Sequence, residues 1–199
     1  MDLDTTQLLA LAAALGWASG LRLYAVVFLT GLAGYLGWVE LPPGLQLLQR
    51  PLLLSASGLM LVVEFLADKI PGIDSLWDGL QTFIRIPAGA LLAAGVFGGD
   101  QASWALIAAL MGGTLAATSH VAKASTRAAA NTSPEPFSNI GLSLVDDVAA
   151  PAMVWLSWAH PLWFFAVLAV VVALMVTLIV LLAKFLRRVL PRRAARGTG

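Results

Sequence analysis

Residues 161–183, PLWFFAVLAVVVALMVTLIVLLA, contain no charged side chain. A helix needs about 20 apolar residues to cross a hydrocarbon layer of about 30 Å, so this run alone reads as a membrane span. Comparable runs recur along the chain, at about 6–38, 51–69, 102–118 and 137–158. The reading is therefore all-α: a polytopic membrane helical bundle of about six transmembrane helices, at about 20 residues per span. Composition agrees with this, because 59% of the 199 residues are apolar and only 12% are charged, where soluble proteins carry about 25% charge. With no cysteine, disulfides, thiol catalysis and zinc–thiolate sites are excluded. The first run is too long for a signal-peptide core and begins on the acidic MDLD, so it is read as a retained helix.

The breaks between runs carry as much information. Pro42, Pro43 and Gly44 end the first run, and Pro71-Gly72 ends the second. IDSLWDGLQTFIR, 73–85, spaces its apolar residues by three and four, which predicts an amphipathic helix with Asp74, Asp78 and Gln81 on the other face. Pro87 then opens an apolar piece of about 13 residues, too short to cross alone. Residues 71–98 thus form either one kinked span or an interfacial helix followed by a re-entrant half-helix. Pro134 and Pro136 break the chain before the span carrying Asp146 and Asp147.

One transmembrane domain, 1–188, is expected, with a basic disordered cytoplasmic tail at 189–199. Six spans would place both termini on the side holding Lys69, Arg85, Lys123, Arg127, Lys184 and the tail arginines, with only Arg50 opposite. By the positive-inside rule that side is cytoplasmic. The halves 6–98 and 102–186 echo each other: Ser19 and Arg22 match Ser119 and Lys123, and Glu64 falls opposite Asp146 or Asp147. Three spans per half would make this an inverted 3+3 repeat.

LVVEFLADKIPGIDSLWDGLQTFIRIPAGALLAAG, with SGLR at 19–22, HVAKASTR at 120–127 and SPEPFSNIGLSLVDD at 133–147, resembles the bacterial membrane family called domain of unknown function 4126. The resemblance covers roughly residues 8–160. It implies a compact integral protein of the bacterial inner membrane and carries no substrate with it.

Charged side chains at bilayer depth cost about 2.5–3.5 kcal/mol each on insertion scales, so those retained there mark function or pairing. Glu64, Asp68, Asp74, Asp78, Asp146 and Asp147 are the candidate residues for binding a proton or cation. A desolvated carboxyl holds its proton more readily, and hard cations favour clustered oxygens; the identity of any metal stays open. Arg22, Arg85, His120, Lys123 and Arg127 are the candidates for an anionic substrate. On a purely structural reading Glu64 would pair with Arg22, Asp68 with Lys123 or Arg127, and Asp78 with Arg85. No Walker loop, HExxH or intramembrane protease motif is present, so no enzyme is expected. No resident cofactor and no nucleic-acid partner is expected either, only the lipid bilayer, a small solute or ion, and a second copy in a homodimer. Three functions remain: a small secondary transporter or channel-like protein, a protein handling anionic lipid headgroups, or a structural assembly factor.

Overall fold

The computed structural model describes residues 3–70, 72–131 and 137–189. Six α-helices follow one another: α1 Thr5–Tyr35, α2 Pro51–Ala67, α3 Ile73–Gly95, α4 Ala102–Ala130, α5 Phe137–Ala159 and α6 Pro161–Val189. Short 3-10 turns at Pro43–Gln49 and Gly99–Gln101 precede α2 and α4. No strand occurs among the described residues. Pro71, residues 132–136 and residues 190–199 lie outside them, so of the tail expected at 189–199 only Val189 is described, as the last residue of α6.

Helix α1 starts on a capping box, in which the Asp4 carboxylate accepts from the Gln7 N–H and the Gln7 side chain accepts from the Asp4 N–H. At Arg22 the backbone leaves helical geometry (φ −143°, ψ 71°), and the helix doubles back. Leu11 of the first limb lines one cavity with Thr30, Ala33 and Leu41. Leu3 and Leu8 line another with residues 40–44. A straight helix would hold Leu11 and Ala33 about 33 Å apart at 1.5 Å per residue. The ends of α1 therefore lie at the same end of the bundle, with Arg22 at the tip of the hairpin.

From there the chain runs end to end. Helix α2 descends against the second limb, with Gly58 on Phe28 and Asp68 reaching Arg22. Helix α3 returns along α4 from the Asp74–Asn131 contact to Ala93 on Gly112. Helix α4 descends, α5 ascends and α6 descends. Five helices run the length of the bundle, and α1 enters and leaves on one side. Against the expected six spans, the described residues hold four helices long and apolar enough to cross, or five with one bent pair, and the first run is folded into a hairpin. Between α1 and α4 the sequence contacts run in step, Gly16 on Gly112 and Gly20 on Ala116 and Ser119. These segments are parallel where an inverted 3+3 repeat needs them antiparallel, so the pseudo-repeat is absent from this pair.

Residues 73–95 form one continuous helix containing Pro87, not an interfacial helix followed by a separate half-helix. Its polar face points inward: Asp74, Asp78, Gln81 and Arg85 are buried while Ile73, Leu76, Leu80 and Phe83 are exposed. That is the arrangement of a helix whose outer surroundings are apolar. Gly72, at φ 87°, makes the preceding turn.

Among the described residues four helices are long and apolar enough to cross a membrane: α1, α4, α5 from Ile140, and α6 to Lys184. The turn Pro43–Gln49 with α2 forms a bent fifth candidate, angled by 70°. Helix α6 leaves Leu162, Trp163, Val170, Leu174 and Leu181 exposed, a surface too apolar for water. The chain is an integral membrane protein whose core is the α1 hairpin, where every residue from Ala10 to Leu23 is buried. Close approach there depends on small residues. A Cβ added at Gly16 would strike the Gly112 backbone, and one at Gly89 would lie 2.7 Å from the Ala116 Cβ.

A candidate site in a buried layer of charge

The break in α1 frees backbone carbonyls, and α4 answers them with side chains. The Ser119 hydroxyl donates to the Trp17 carbonyl at 2.7 Å, and Lys123 Nζ donates to the Leu21 carbonyl at 2.8 Å. A cation at the C-terminal end of the first limb also meets the negative end of its dipole. This local need places Lys123 at the centre of the bundle, where it gathers acids: Asp68 at 2.9 Å, Asp78 at 3.7 Å and Asp146 at 3.9 Å.

Arg22 itself points away from the hairpin. Its Nη1 lies 2.7 Å from Asp68 Oδ2 and its Nη2 lies 2.6 Å from Asp147 Oδ1. Nη2 also donates to the Ser143 hydroxyl at 2.8 Å. One turn along α4 from Lys123, Arg127 Nη1 meets Asp68 Oδ1 at 3.0 Å, and its Nη2 lies 3.6 Å from Asp146. Asp68 thus closes α2 against three cations at once. Lys69, partly exposed, stacks on Phe65 and approaches Asp147 at 3.4 Å.

A second group lies between α2, α3 and α4. Arg85 bonds to Glu64 at 2.7 Å through Nη2 and to Asp78 at 2.8 Å through Nη1. The His120 ring is 2.7 Å from the Thr82 hydroxyl and 3.3 Å from Arg85 Nη1. Asp78 joins the two groups, its carboxylate lying 3.8 Å from Arg127 Nε. Asp74 stands at the edge: it accepts from the backbone of Gly72 and Ser75 and from Asn131, with Arg127 at 4.0 Å.

All eleven residues singled out from the sequence therefore meet in one layer. The expected Glu64–Arg22 pair does not form, since Arg85 takes Glu64 and leaves Arg22 to Asp68 and Asp147. The pairs Asp68–Lys123, Asp68–Arg127 and Asp78–Arg85 form as expected. Acids and bases alternate, and each carboxylate is compensated, as burial in a low-dielectric interior demands. Among the described residues no three acids or histidines converge as a metal site would need. Ser143, wholly buried against Arg22 and Lys69, went unnoticed in the sequence. Its place four residues before Asp147, on the same helix face, was the available signal. Gln81, which donates to the Tyr24 hydroxyl at 3.2 Å, extends the inward polar stripe of α3.

Two cavities flank the layer. One, of about 380 Å³, lies between the α1 hairpin and α5 and includes Val26, Thr30, Trp38, Pro151 and Trp155. The other, of about 100 Å³, includes Leu21, Lys123, Thr126, Arg127, Asp146 and Leu178.

No curated protein and no solved structure matches the chain significantly. One family model does match, over residues 9–181, and it is described as a domain of unknown function, DUF4126. With that match spanning nearly all of the helical bundle, the chain belongs to the DUF4126 family.

Proposed function

We propose that the protein is a small secondary transporter of the bacterial inner membrane, with the charged layer as its binding and coupling site. The observation that carries this reading is the discontinuous helix α1, whose break at Arg22 joins acids from α2 and α5. Broken helices at membrane depth are tolerated where they line protein cavities, and transporters use such breaks to bind substrates and ions. A scaffold that needed only rigidity would be served as well by apolar packing, since buried ion pairs are weak sources of stability.

Residues Asp68, Asp146 and Asp147 would carry a proton or cation, and Arg22, Lys123 and Arg127 would face an anionic group. Glu64, Asp74, Asp78, Arg85 and His120 hold the surrounding helices. The end of the bundle with Lys69, Lys123, Arg127 and Lys184 is its cationic end, and the positive-inside rule favours the cytoplasm for it. The α1 hairpin then enters from the outer face, and the N-terminus lies outside.

The test is flux in proteoliposomes loaded with a pH-sensitive dye, offered gradients of protons, monovalent cations, phosphate and carboxylates. Movement of one of these, lost in Asp68→Asn and Asp147→Asn proteins that still purify as folded monomers or dimers, is the expected result. Flux that survives neutralisation of every acid in the layer, or no flux for any of these gradients, would overturn the proposal.

A further inference from the structure

The ion pair between Arg22 and Asp147 lies close along the chain to residues of both cavities. One helical turn beyond each partner, at Val26 and Pro151, begins the larger cavity. The immediate neighbours on the other side, Leu21 and Asp146, belong to the smaller one. The pair measures 2.6 Å, and Arg22 also holds Ser143 at 2.8 Å and Asp68 at 2.7 Å.

Both helices that supply the pair are weakened at that level. Helix α1 is broken at Arg22 itself. In α5, Pro151 has no N–H to give to the carbonyl of Asp147, four residues earlier. Proline and interrupted hydrogen-bond ladders are the identifiable causes of helix bending. A path from one cavity to the other would pass this pair at the points where both of its helices can bend.

The linings identify what would pass. The larger cavity is apolar, with Trp38, Trp155 and Trp158 around it and Thr30 as its hydroxyl. Its 380 Å³ falls in the range of sites that hold small organic ligands. The smaller cavity has two cations and a hydroxyl against one acid, and 100 Å³ holds roughly three waters or one carboxylate or phosphate group, at about 30 Å³ per water. Arg127, 1% exposed, keeps Nε and Nη2 without a hydrogen-bond partner there. An acid group fits the second space and an apolar body fits the first.

We propose that the Arg22–Asp147 pair is the closed gate of this path, and that the transported molecule is an amphiphilic anion, one carboxylate or phosphate on an apolar body. Its acid group replaces Asp147 on Arg22 as the gate opens, and Lys123 and Arg127 receive it below. This rests on the transporter reading above and adds the substrate class and the moving part.

The chain contains no cysteine, so single cysteines report unambiguously. Thr30→Cys and Thr126→Cys proteins, in sealed vesicles of either orientation, are exposed to a membrane-impermeant maleimide. Labelling of the first from the outer face only and of the second from the cytoplasmic face only is expected. Adding Asp147→Asn, or Arg22→Lys where that variant fails to fold, opens at least one of them to both faces. Decanoate or decyl phosphate slows labelling about tenfold at saturation, while acetate and inorganic phosphate do not.

Two arms separate the sources of such an anion. Protection in phosphatidylglycerol vesicles without added probe assigns a membrane lipid, and protection by decanoate in phosphatidylcholine vesicles assigns a soluble amphiphile. Labelling of both cysteines from one face, or a pattern unchanged by the gate variants, overturns the gate. Equal protection by acetate and phosphate, or none by any probe, overturns the amphiphile. Flux of small ions that persists alongside either failure leaves the transporter reading standing, so the two ideas fail separately.

Discussion

Arg85 on α3 bonds to Glu64 on α2 at 2.7 Å, with both side chains fully buried. Its other terminal nitrogen holds Asp78 at 2.8 Å, so one guanidinium bridges two carboxylates. Arg85→Gln would leave Glu64 without its cation, while Asp78 keeps Lys123 at 3.7 Å and Arg127 at 3.8 Å, and breaking a buried pair costs about 3–5 kcal/mol. Thermal unfolding in detergent should show a loss of that order. The exchange Glu64→Arg with Arg85→Glu should not restore stability, because the relocated carboxylate faces Asp78. Full rescue by the exchange would show that Lys123 and Arg127 suffice to hold Asp78 beside the relocated carboxylate.

The hairpin in α1 makes a prediction about topology. Reporter domains fused to the two ends of the chain should report from opposite faces of the membrane, with the C-terminus cytoplasmic. Reporters on the same face would mean that α1 crosses after all.

The packing of α1 on α4 tolerates no added methyl group at Gly16, where the obstacle is the Gly112 backbone. Overpacking of this kind costs about 1–3 kcal/mol, so Gly16→Ala should unfold at a visibly lower temperature. Gly79 is the control: it lies in α3 with nothing within 4 Å of an added Cβ. Gly79→Ala should leave stability unchanged or raise it by about 0.5–1 kcal/mol, the helix preference for alanine over glycine. Equal effects at the two sites would contradict the close helix contact.

Pro151 leaves the Asp147 carbonyl without its helical donor. Pro151→Ala restores that donor and stiffens α5 beside the ion pair. The expected outcome is a protein at least as thermally stable as the parent with slower flux in liposomes. A variant that transports at the parental rate would remove α5 bending from the mechanism.

Ionic strength separates buried from exposed charge. Most of the layer is inaccessible to ions, and screening acts chiefly on exposed charges. Raising salt from 0.1 to 1 M, which shortens the Debye length from about 10 to 3 Å, should shift the melting temperature little. A large loss would show that water and ions reach the layer.

Helix extents were readable because they rest on local chemistry. Apolar runs set α4, α5 and α6, and Pro51 and Pro161 begin helices that their fixed φ favours. The spacing of Asp74, Asp78 and Gln81 also showed that these residues share a face, which Arg85 joins in the structure. Which way that face turns was not local: it points inward because α2 and α4 bring Glu64, Lys123 and His120 to meet it.

The amino-acid sequence by itself determined the membrane class, the helices and the charged residues that matter, since hydropathy and proline placement act within a few residues. Only the tertiary structure decided that α1 folds back at Arg22. Neither proline nor glycine occupies that position. The break persists because Ser119 and Lys123 on α4 satisfy the carbonyls it frees and because Asp68 and Asp147 hold the arginine at its tip. Each of those partners is distant in the chain, and their convergence follows from packing that no local pattern encodes.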